Sequence, residues 1–196
     1  MWNADFGMRN APHPTLSPEG RGSIKKTSSP NWGEDRGEGG SKTMNTMDLT
    51  LRYARPGDIP RMCDLLAELF AIESDFVPDR EKQVHGLSTL IAHPPGKVLV
   101  LVAVIDGLVV GMATVQTLIS TAEGGRVGLI EDVIVDREFR AKGIGTRLFE
   151  EIVFWSKSAG LTRLQLLADR DNQAALDFYS FRGLNLTRLI CLRKML

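Results

Sequence analysis

The sequence has little of what marks secreted, metal-binding or membrane proteins. It contains 2 cysteines and 3 histidines, with no Cys-x-x-Cys pair and no ligand spacing among the histidines, so we expect neither a disulfide framework nor a metal site. No basic segment followed by an apolar stretch marks a signal peptide. Asp106-Gly107 interrupts the most apolar run, whereas a membrane span needs about 20 nearly unbroken apolar residues. These absences predict a soluble, cytoplasmic protein with no membrane partner.

An excess of charge of either sign is also absent. The 24 Lys and Arg residues balance 24 Asp and Glu residues, for a formal net charge of +0. Proteins that hold nucleic acid through bulk positive charge need a basic excess, so we expect no nucleic-acid partner. The apolar content of 43% is ordinary for globular proteins, and a chain of 196 residues predicts one domain.

The first 46 residues differ in composition from the rest of the chain. They are rich in Gly, Pro and Ser, and their apolar residues show no helix or strand periodicity. Such a segment cannot bury enough apolar surface to offset its ordering entropy. We therefore predict a disordered or non-native tail over residues 1–46 and a folded domain over residues 47–196. Met44 or Met47 could be the natural start instead of Met1.

Apolar periodicity predicts alternating strands and helices in the folded part, which is typical of a mixed α/β domain. Asp106-Gly107 lies between two β-branched runs and favours a hairpin, because both of its turn positions need positive φ. The predicted order is strand, two helices, hairpin, strand, helix, strand, helix and closing strand. The predicted bounds are 49–53, 59–69, 79–91, 98–105, 108–120, 127–135, 143–159, 163–168, 172–181 and 184–192.

The most informative stretch covers residues 131–146. An apolar strand is followed there by a short loop, a turn containing Gly143 and Gly145, and an amphipathic helix. The start of a helix is a phosphate site, because its first N–H groups lack intrahelical partners and the helix dipole is positive there. The two glycines let the backbone approach an anion closely. Arg140 and Lys142 add positive charge beside it.

Three other loop types do not match this sequence. A P-loop needs lysine after its last glycine, but Thr146 follows Gly145. The dinucleotide fingerprint needs a third glycine where Leu148 stands. A calcium loop that opens at Asp169 would need glycine in place of Ala174. A tight turn that binds nothing would use the same two glycines, so the turn alone leaves that alternative open.

The turn resembles the acyl-CoA-binding motif of the GNAT superfamily of N-acetyltransferases. The matching pattern is Arg140-x-x-Gly143-x-Gly145 after an apolar strand. One departure is Ala141, a mild change where the family often has glycine. The resemblance implies that acetyl-CoA binds without a metal, its pantetheine arm along the strand and its pyrophosphate on the turn. The residues that match these two segments are Val133, Ile134, Val135, Arg140, Ala141, Lys142, Gly143, Ile144, Gly145 and Thr146.

A second landmark of the same family follows at a matching distance. It consists of Asn172, Ala175, Phe178-Tyr179 and Phe181-x-Gly183. The order of elements also resembles the family, over about residues 49–196. The resemblance implies an α/β (α+β) fold with a mixed, mostly antiparallel central sheet flanked by helices on both faces. It also implies a polar contact from Asn172 to the cofactor, although Asn172 could equally cap the helix that it opens.

The resemblance implies roles for two further residues. Glu131 matches a strand carboxylate that some members use as general base, and Tyr179 matches a residue that in many members protonates the departing CoA thiolate. The chemistry needs both types, because an amine is mostly protonated at neutral pH and a thiolate leaves more easily beside an acid. Alternation places Glu131 and Asp132 on opposite faces of the strand, and we favour Glu131 for the cleft. Tyr179 could instead be a core aromatic residue.

Together these features predict an N-acetyltransferase that transfers an acetyl group from acetyl-CoA to a primary amine by direct attack in a ternary complex. The acceptor would be a small molecule or a peptide. The alternatives are a non-catalytic acyl-CoA-binding or regulatory domain and a protein-modifying acetyltransferase. Glu73 and Asp75, in a predicted loop, would favour a cationic amine. The resemblance further implies a homodimer, in which the apolar segment 184–196 packs at an edge.

Overall fold

The computed structural model describes residues 48–72 and 75–196. Among them, five strands form one sheet in chain order, and four α-helices accompany it. The strands are β1 (Thr50–Tyr53), β2 (Val98–Ile105), β3 (Leu108–Ser120), β4 (Gly125–Val135) and β5 (Leu164–Leu166). The helices are α1 (Ile59–Phe70), α2 (Arg80–Ile91), α3 (Ile144–Ser158) and α4 (Gln173–Ser180). The predicted tail, Met44, Met47 and Glu73 lie outside the described residues.

The sheet is mixed and mostly antiparallel, as predicted. Neighbouring strands from β1 to β4 pair antiparallel, and only β4 and β5 pair parallel. The β2–β3 hairpin turns at Asp106 and Gly107, which have φ values of 49° and 79°. This left-handed backbone at both positions confirms the hairpin that the Asp-Gly dipeptide predicts.

Helices cover both faces of the sheet because the strands are apolar on both faces. Leu99 and Leu101 of β2 belong to the core cluster that contains α3. Val100 and Val102 belong to a second cluster, with α1 and α2. In α3, Ile152 is fully buried, and truncating such a side chain to alanine costs about 2–5 kcal/mol. The two clusters confirm the predicted arrangement of helices. None of the helices in the described ranges is long and apolar enough to cross a bilayer.

An ion pair joins β1 to the turn before α1. The Arg52 guanidinium donates to both carboxylate oxygens of Asp58, at 2.7 and 2.8 Å. The backbone N–H of Arg55 donates to the same carboxylate at 2.7 Å. The hydrogen bond from Arg52 lowers the pKa of Asp58 more than burial raises it. The pair therefore holds the first strand and the start of the first helix together.

The predicted closing strand over residues 184–192 is wrong. In the described chain, no strand follows α4, and the apolar side chains there are exposed, with Leu186 at 88% and Leu189 at 87%. Apolar content alone does not form a strand, because the backbone needs a partner edge for its hydrogen bonds. The last strand of the sheet, β5, is only 3 residues long, which leaves little edge to extend.

Strand β4 contains a bulge that breaks its alternation. Ala113 of β3 pairs with Val133, and Val115 pairs with Ile130. Three residue steps on β4 therefore oppose two on β3, and the extra residue falls at positions 131–132. Strict alternation does not hold across these positions, so alternation alone does not fix the directions of Glu131 and Asp132.

Candidate active site

A cleft of about 440 Å³ opens where β4 and β5 part. The two strands pair only from Gly128 to Ile130, opposite Leu164 to Leu166, while β4 continues to Val135. Within the described chain, no strand lies beside that edge of β4 beyond Ile130. The cleft is lined by β4, the turn before α3, the chain after β5 and one side of α4.

The turn before α3 forms one end of this cleft. Gly143 precedes the helix with φ 78° and provides no side-chain cap, so the first N–H groups of α3 have no capping partner. Residues Gly143, Ile144, Gly145 and Thr146 all line the cleft. A Cβ atom at Gly145 would lie 3.4 Å from the Phe178 ring, so glycine there brings α3 and α4 close together. We call residues 143–146 the turn end of the cleft.

Ala141 lies in the left-handed region, with φ 59°, a conformation that costs a non-glycine residue about 1–2 kcal/mol. The departure from the family pattern at this position therefore carries backbone strain. Ala141 nevertheless lines the cleft, and its side chain is a single methyl group.

The two basic residues of the turn occupy different environments. Arg140 lines the cleft; its Nε donates to the Val135 carbonyl at 2.9 Å, and one terminal nitrogen lies 3.9 Å from a Glu68 carboxylate oxygen. Lys142 is not among the residues that line the cleft, and its Nζ lies 4.8 Å from the centre of the Phe139 ring. The structure therefore brings Arg140 to the cleft but not Lys142.

Helix α4 places Asn172 and Tyr179 on the cleft wall. Asn172 precedes α4, and its side-chain oxygen accepts the Ala175 N–H at 3.1 Å, so it caps the helix. An aromatic cluster fixes the other end of α4 against α3. Phe178 and Tyr179 have ring centres 5.2 Å apart, and both pack against Phe149, at 6.3 and 6.2 Å. Tyr179 is half-buried in this cluster.

The bulge separates the two acids on β4. Thr114 is fully buried; its hydroxyl donates to the Asp132 carboxylate at 2.8 Å and accepts the Asp132 N–H at 3.1 Å. Glu131 is exposed and lines the cleft together with Val133, Ile134 and Val135. Of the two carboxylates, Glu131 is therefore the one at the cleft.

Acidic side chains also line the cleft, and Glu131 is one of them. Asp169, in the chain after β5, also lines the cleft. A second cavity of about 380 Å³ shares Ile72, Asp169, Asn172 and Ala174 with it and adds Asp171 and Gln173. We refer to the set of lining residues Glu131, Asp169 and Ile72 as the acidic end. Over residues 48–72 and 75–196, no group of three or more His, Cys, Asp or Glu side chains could hold a metal ion.

Two charged residues of the cleft wall, Asp169 and Arg182, were not predicted as site residues from the sequence. Arg182, just after α4, lines the cleft and contacts Thr146 in the first turn of α3. In the sequence, Arg182 is distinguished only by its position between Phe181 and Gly183 of the second landmark. No periodicity reveals a contact between residues that lie 36 positions apart.

The fold and the cleft together define a class of protein: a mixed α/β domain with an open strand edge beside a helix start that has no side-chain cap. The chain belongs to the acetyltransferase (GNAT) family, whose model matches residues 59–184. This confirms the family resemblance and the predicted fold class, and it makes the protein a transferase.

Relatives and a solved structure agree with this assignment. The chain is 27% identical over 144 residues to a glucosamine 6-phosphate N-acetyltransferase of Trypanosoma brucei brucei. The matched residues cover 70% of this chain and 89% of that protein. It is 35% identical over 138 residues to an uncharacterised N-acetyltransferase of Archaeoglobus fulgidus, over 69% of this chain and 92% of that one. The fold is similar to an aminoglycoside N-acetyltransferase in complex with CoA, with TM-score 0.66, 16% identity and coverages of 78% and 99%.

Proposed function

We propose that this protein transfers an acetyl group from acetyl-CoA to a primary amine by direct attack in a ternary complex. One observation carries the proposal: a single cleft is lined by the turn before α3, by Tyr179 and by Glu131. A phosphate site, a candidate acid and a candidate base are therefore available to the same pair of substrates. Membership of the acetyltransferase family supports the reaction type.

The described residues fit acetyl-CoA. The start of α3, which has no side-chain cap, provides N–H groups and a positive dipole for a diphosphate. The edge of β4 at residues 133–135, beside which no described strand lies, suits an extended amide-bearing arm. When bound, acetyl-CoA would supply the acetyl group as a reactive thioester. Arg140 and Asn172 both line the cleft, and both lie within the segments that the family resemblance assigns to the cofactor.

Glu131 and Tyr179 would each move one proton. The Glu131 carboxylate, directly or through a water, would take a proton from the protonated amine and leave a lone pair free for attack. The Tyr179 hydroxyl would donate a proton to the departing thiolate. The aromatic contacts of Tyr179 with Phe149 and Phe178 fix its ring. The hydroxyl therefore keeps one position relative to the substrates.

The acidic end supports a positively charged acceptor. Glu131 and Asp169 line the cleft, and their carboxylates would attract a second ammonium group on the acceptor. Asp75 is exposed and does not line the cleft. The argument for a cationic acceptor therefore rests on Asp169 and not on the predicted loop acids. We propose a small-molecule or peptide amine that carries more than one positive charge.

The test is release of free thiol from acetyl-CoA in the presence of a panel of amines, with the products identified by mass spectrometry. The panel holds a polyamine, an aminoglycoside, glucosamine 6-phosphate and a lysine-containing peptide. We expect turnover, faster with the polycationic amines than with the phosphorylated sugar. Binding of CoA without turnover of any amine would contradict the proposal and favour the regulatory alternative. Turnover of the peptide alone would favour the protein-modifying one.

We also propose a cytoplasmic homodimer. Leu186, Leu189, Ile190 and Leu192 are exposed on the segment after α4, and a second copy of the chain could cover these apolar side chains. Cys63 and Cys191 are free, which suits a reducing compartment. Light scattering should give twice the chain mass at micromolar concentration. A monomer mass would contradict the dimer.

A further inference from the structure

Arg182 has an unusual position for a guanidinium on a cleft wall. One terminal nitrogen donates to the Phe178 carbonyl at 2.8 Å, and the other donates to the hydroxyl of Thr146. The guanidinium carbon lies 3.5 Å from the centre of the Phe178 ring. Three contacts therefore hold the group in one plane beside the start of α3.

The positive charge of Arg182 has no anionic partner in the described structure. No Asp or Glu oxygen of residues 48–72 and 75–196 lies within 4.0 Å of its nitrogens, whereas Arg52, Arg61, Arg80, Arg140 and Arg163 all have one. A partly buried charge without a counter-ion is costly. Both of its hydrogen-bond acceptors are neutral, and they use two of the five guanidinium N–H donors. The remaining donors are available to an anion.

The uncompensated charge and the helix start converge on Thr146. The N–H groups of residues 144–146 belong to the first turn of α3, and Arg182 binds the side chain of the last of these residues. A planar guanidinium beside a helix N-terminus is suited to a phosphate, which it can bind through two parallel hydrogen bonds. Thr146 aims the guanidinium, and Phe178 supports its face.

We infer that Arg182 is a cofactor-binding residue that donates to a phosphate of acetyl-CoA alongside the N–H groups of the turn end. This inference rests on the proposed function. Arg182 follows α4, so the chain segment that presents Tyr179 would also place a fixed positive charge at the phosphate site. Lys142 lies off the cleft wall. Arg182 would provide the positive charge at the phosphate site that Lys142 does not provide.

The experiment measures CoA affinity by calorimetry for the wild type, Arg182→Gln and Arg182→Lys. We expect Arg182→Gln to weaken CoA binding by about tenfold or more, since a hydrogen bond to a charged group is lost. Arg182→Lys keeps the charge but loses the planar pair of donors, so its affinity should fall between the other two. Arg188→Gln is the matched control, because Arg188 is exposed and does not line the cleft; it should bind like the wild type.

Two smaller ligands separate phosphate binding from a general disturbance of the cleft. Pantetheine, which has no phosphate, should compete equally well in the wild type and in Arg182→Gln. An equal loss for CoA and pantetheine would overturn the inference, because a distorted cleft would then explain both. With 3′-dephospho-CoA, a retained loss assigns the contact to the diphosphate, and an abolished loss assigns it to the 3′-phosphate. Both results support a phosphate contact.

The two proposals fail in different ways. Unchanged CoA affinity in Arg182→Gln, with a wild type that binds CoA, would overturn the role of Arg182 and leave the proposed function intact. A wild type that binds neither CoA nor acetyl-CoA would overturn the proposed function and the role of Arg182 with it.

Discussion

At the turn end of the cleft the polar groups belong mainly to the backbone, whereas at the acidic end they belong to side chains. Gly143 and Gly145 contribute no side-chain polar atoms, and the N–H groups of α3 are held by the helix itself. Glu131 and Asp169 instead present carboxylates from a bulge and from the chain after β5. A backbone site depends on local conformation, while a side-chain site depends on which residue occupies each position.

This difference separates what the family has in common from what this chain adds. Any sequence that forms the turn and the helix start would reproduce the backbone part of the proposed phosphate site, so family membership says much about the cofactor. The acceptor depends on individual side chains, and relatives at 27% identity are free to differ there. Substitutions at the turn end and substitutions at the acidic end should therefore show their defects in different assays.

The largest expected effect is on turnover in Tyr179→Phe. The variant loses only a hydroxyl group and keeps the ring contacts with Phe149 and Phe178, so folding and CoA affinity should change little. The departing thiolate loses its acid, and steady-state turnover should fall by about 10²–10⁴-fold at every pH. Turnover equal to the wild type with a good acceptor would remove Tyr179 from the chemistry.

A loss of similar size is expected in Glu131→Gln near neutral pH, but it should depend on pH. The amide keeps the shape of the side chain and cannot take the amine proton. As the pH rises, more of the amine loses its proton unaided, so the variant should recover part of the wild-type rate. The check is a pH–rate profile beside that of Tyr179→Phe, which should show no recovery. A deficit that stays constant with pH would contradict the role of Glu131 as base.

Gly145→Asp should damage the turn end alone. A carboxylate beside a diphosphate repels it in a partly dry site, and CoA affinity should fall by at least roughly tenfold, about 1.4 kcal/mol or more. Gly145→Asn is the matched control, since it has the same shape without the charge and should lose less. Calorimetry on folded variants measures both. Unchanged CoA affinity in Gly145→Asp would exclude the turn from the site.

Asp58→Asn should change stability without touching either end of the cleft, since neither Asp58 nor Arg52 lines it. The lowered pKa of Asp58 means that the folded state favours its charged form, so its pair with Arg52 stabilises the protein above the ordinary carboxyl pKa. That contribution should be lost as the pH falls through the folded-state pKa. We expect the variant to be about 1–2 kcal/mol less stable to urea at neutral pH. The difference should shrink in acid, and CoA affinity should stay unchanged throughout.

The smallest predicted effect is a gain. Ala141→Gly relieves a left-handed alanine at φ 59° and should stabilise the fold by about 1 kcal/mol, with little change in CoA binding. Thermal unfolding measures the gain. Gly143→Ala is the opposite test, because it places a Cβ at φ 78° and should destabilise the protein by a similar amount. A loss of stability in Ala141→Gly would contradict the strain.

Local signals in the sequence predicted most of the fold. Asp106-Gly107 sets its own turn, and the helices follow the periodicity of their apolar residues, so both could be predicted without tertiary information. The strand expected over residues 184–192 failed because pairing depends on a partner edge, which no local pattern contains. The same limit applies to the bulge at residues 131–132, where the register is set by the pairing of Ala113 with Val133 and of Val115 with Ile130.

The candidate site divides in the same way. The turn at Gly143 and Gly145 is local in sequence, and the family resemblance identified it. Arg182 meets Thr146 only because the aromatic cluster packs α4 against α3, so its place on the cleft wall needed the structure. Lys142 shows the reverse case: a basic residue within the motif turns toward Phe139 and not into the cleft.

The most direct test of the two-ended cleft is a crystal structure of the protein in complex with CoA. We predict that the N–H groups of residues 144–146 donate to the diphosphate and that the pantetheine arm lies along β4 at residues 133–135. The thiol should lie beside Tyr179, with Glu131 beyond it. A diphosphate bound away from the start of α3, or a thiol remote from both Tyr179 and Glu131, would contradict the two-ended cleft.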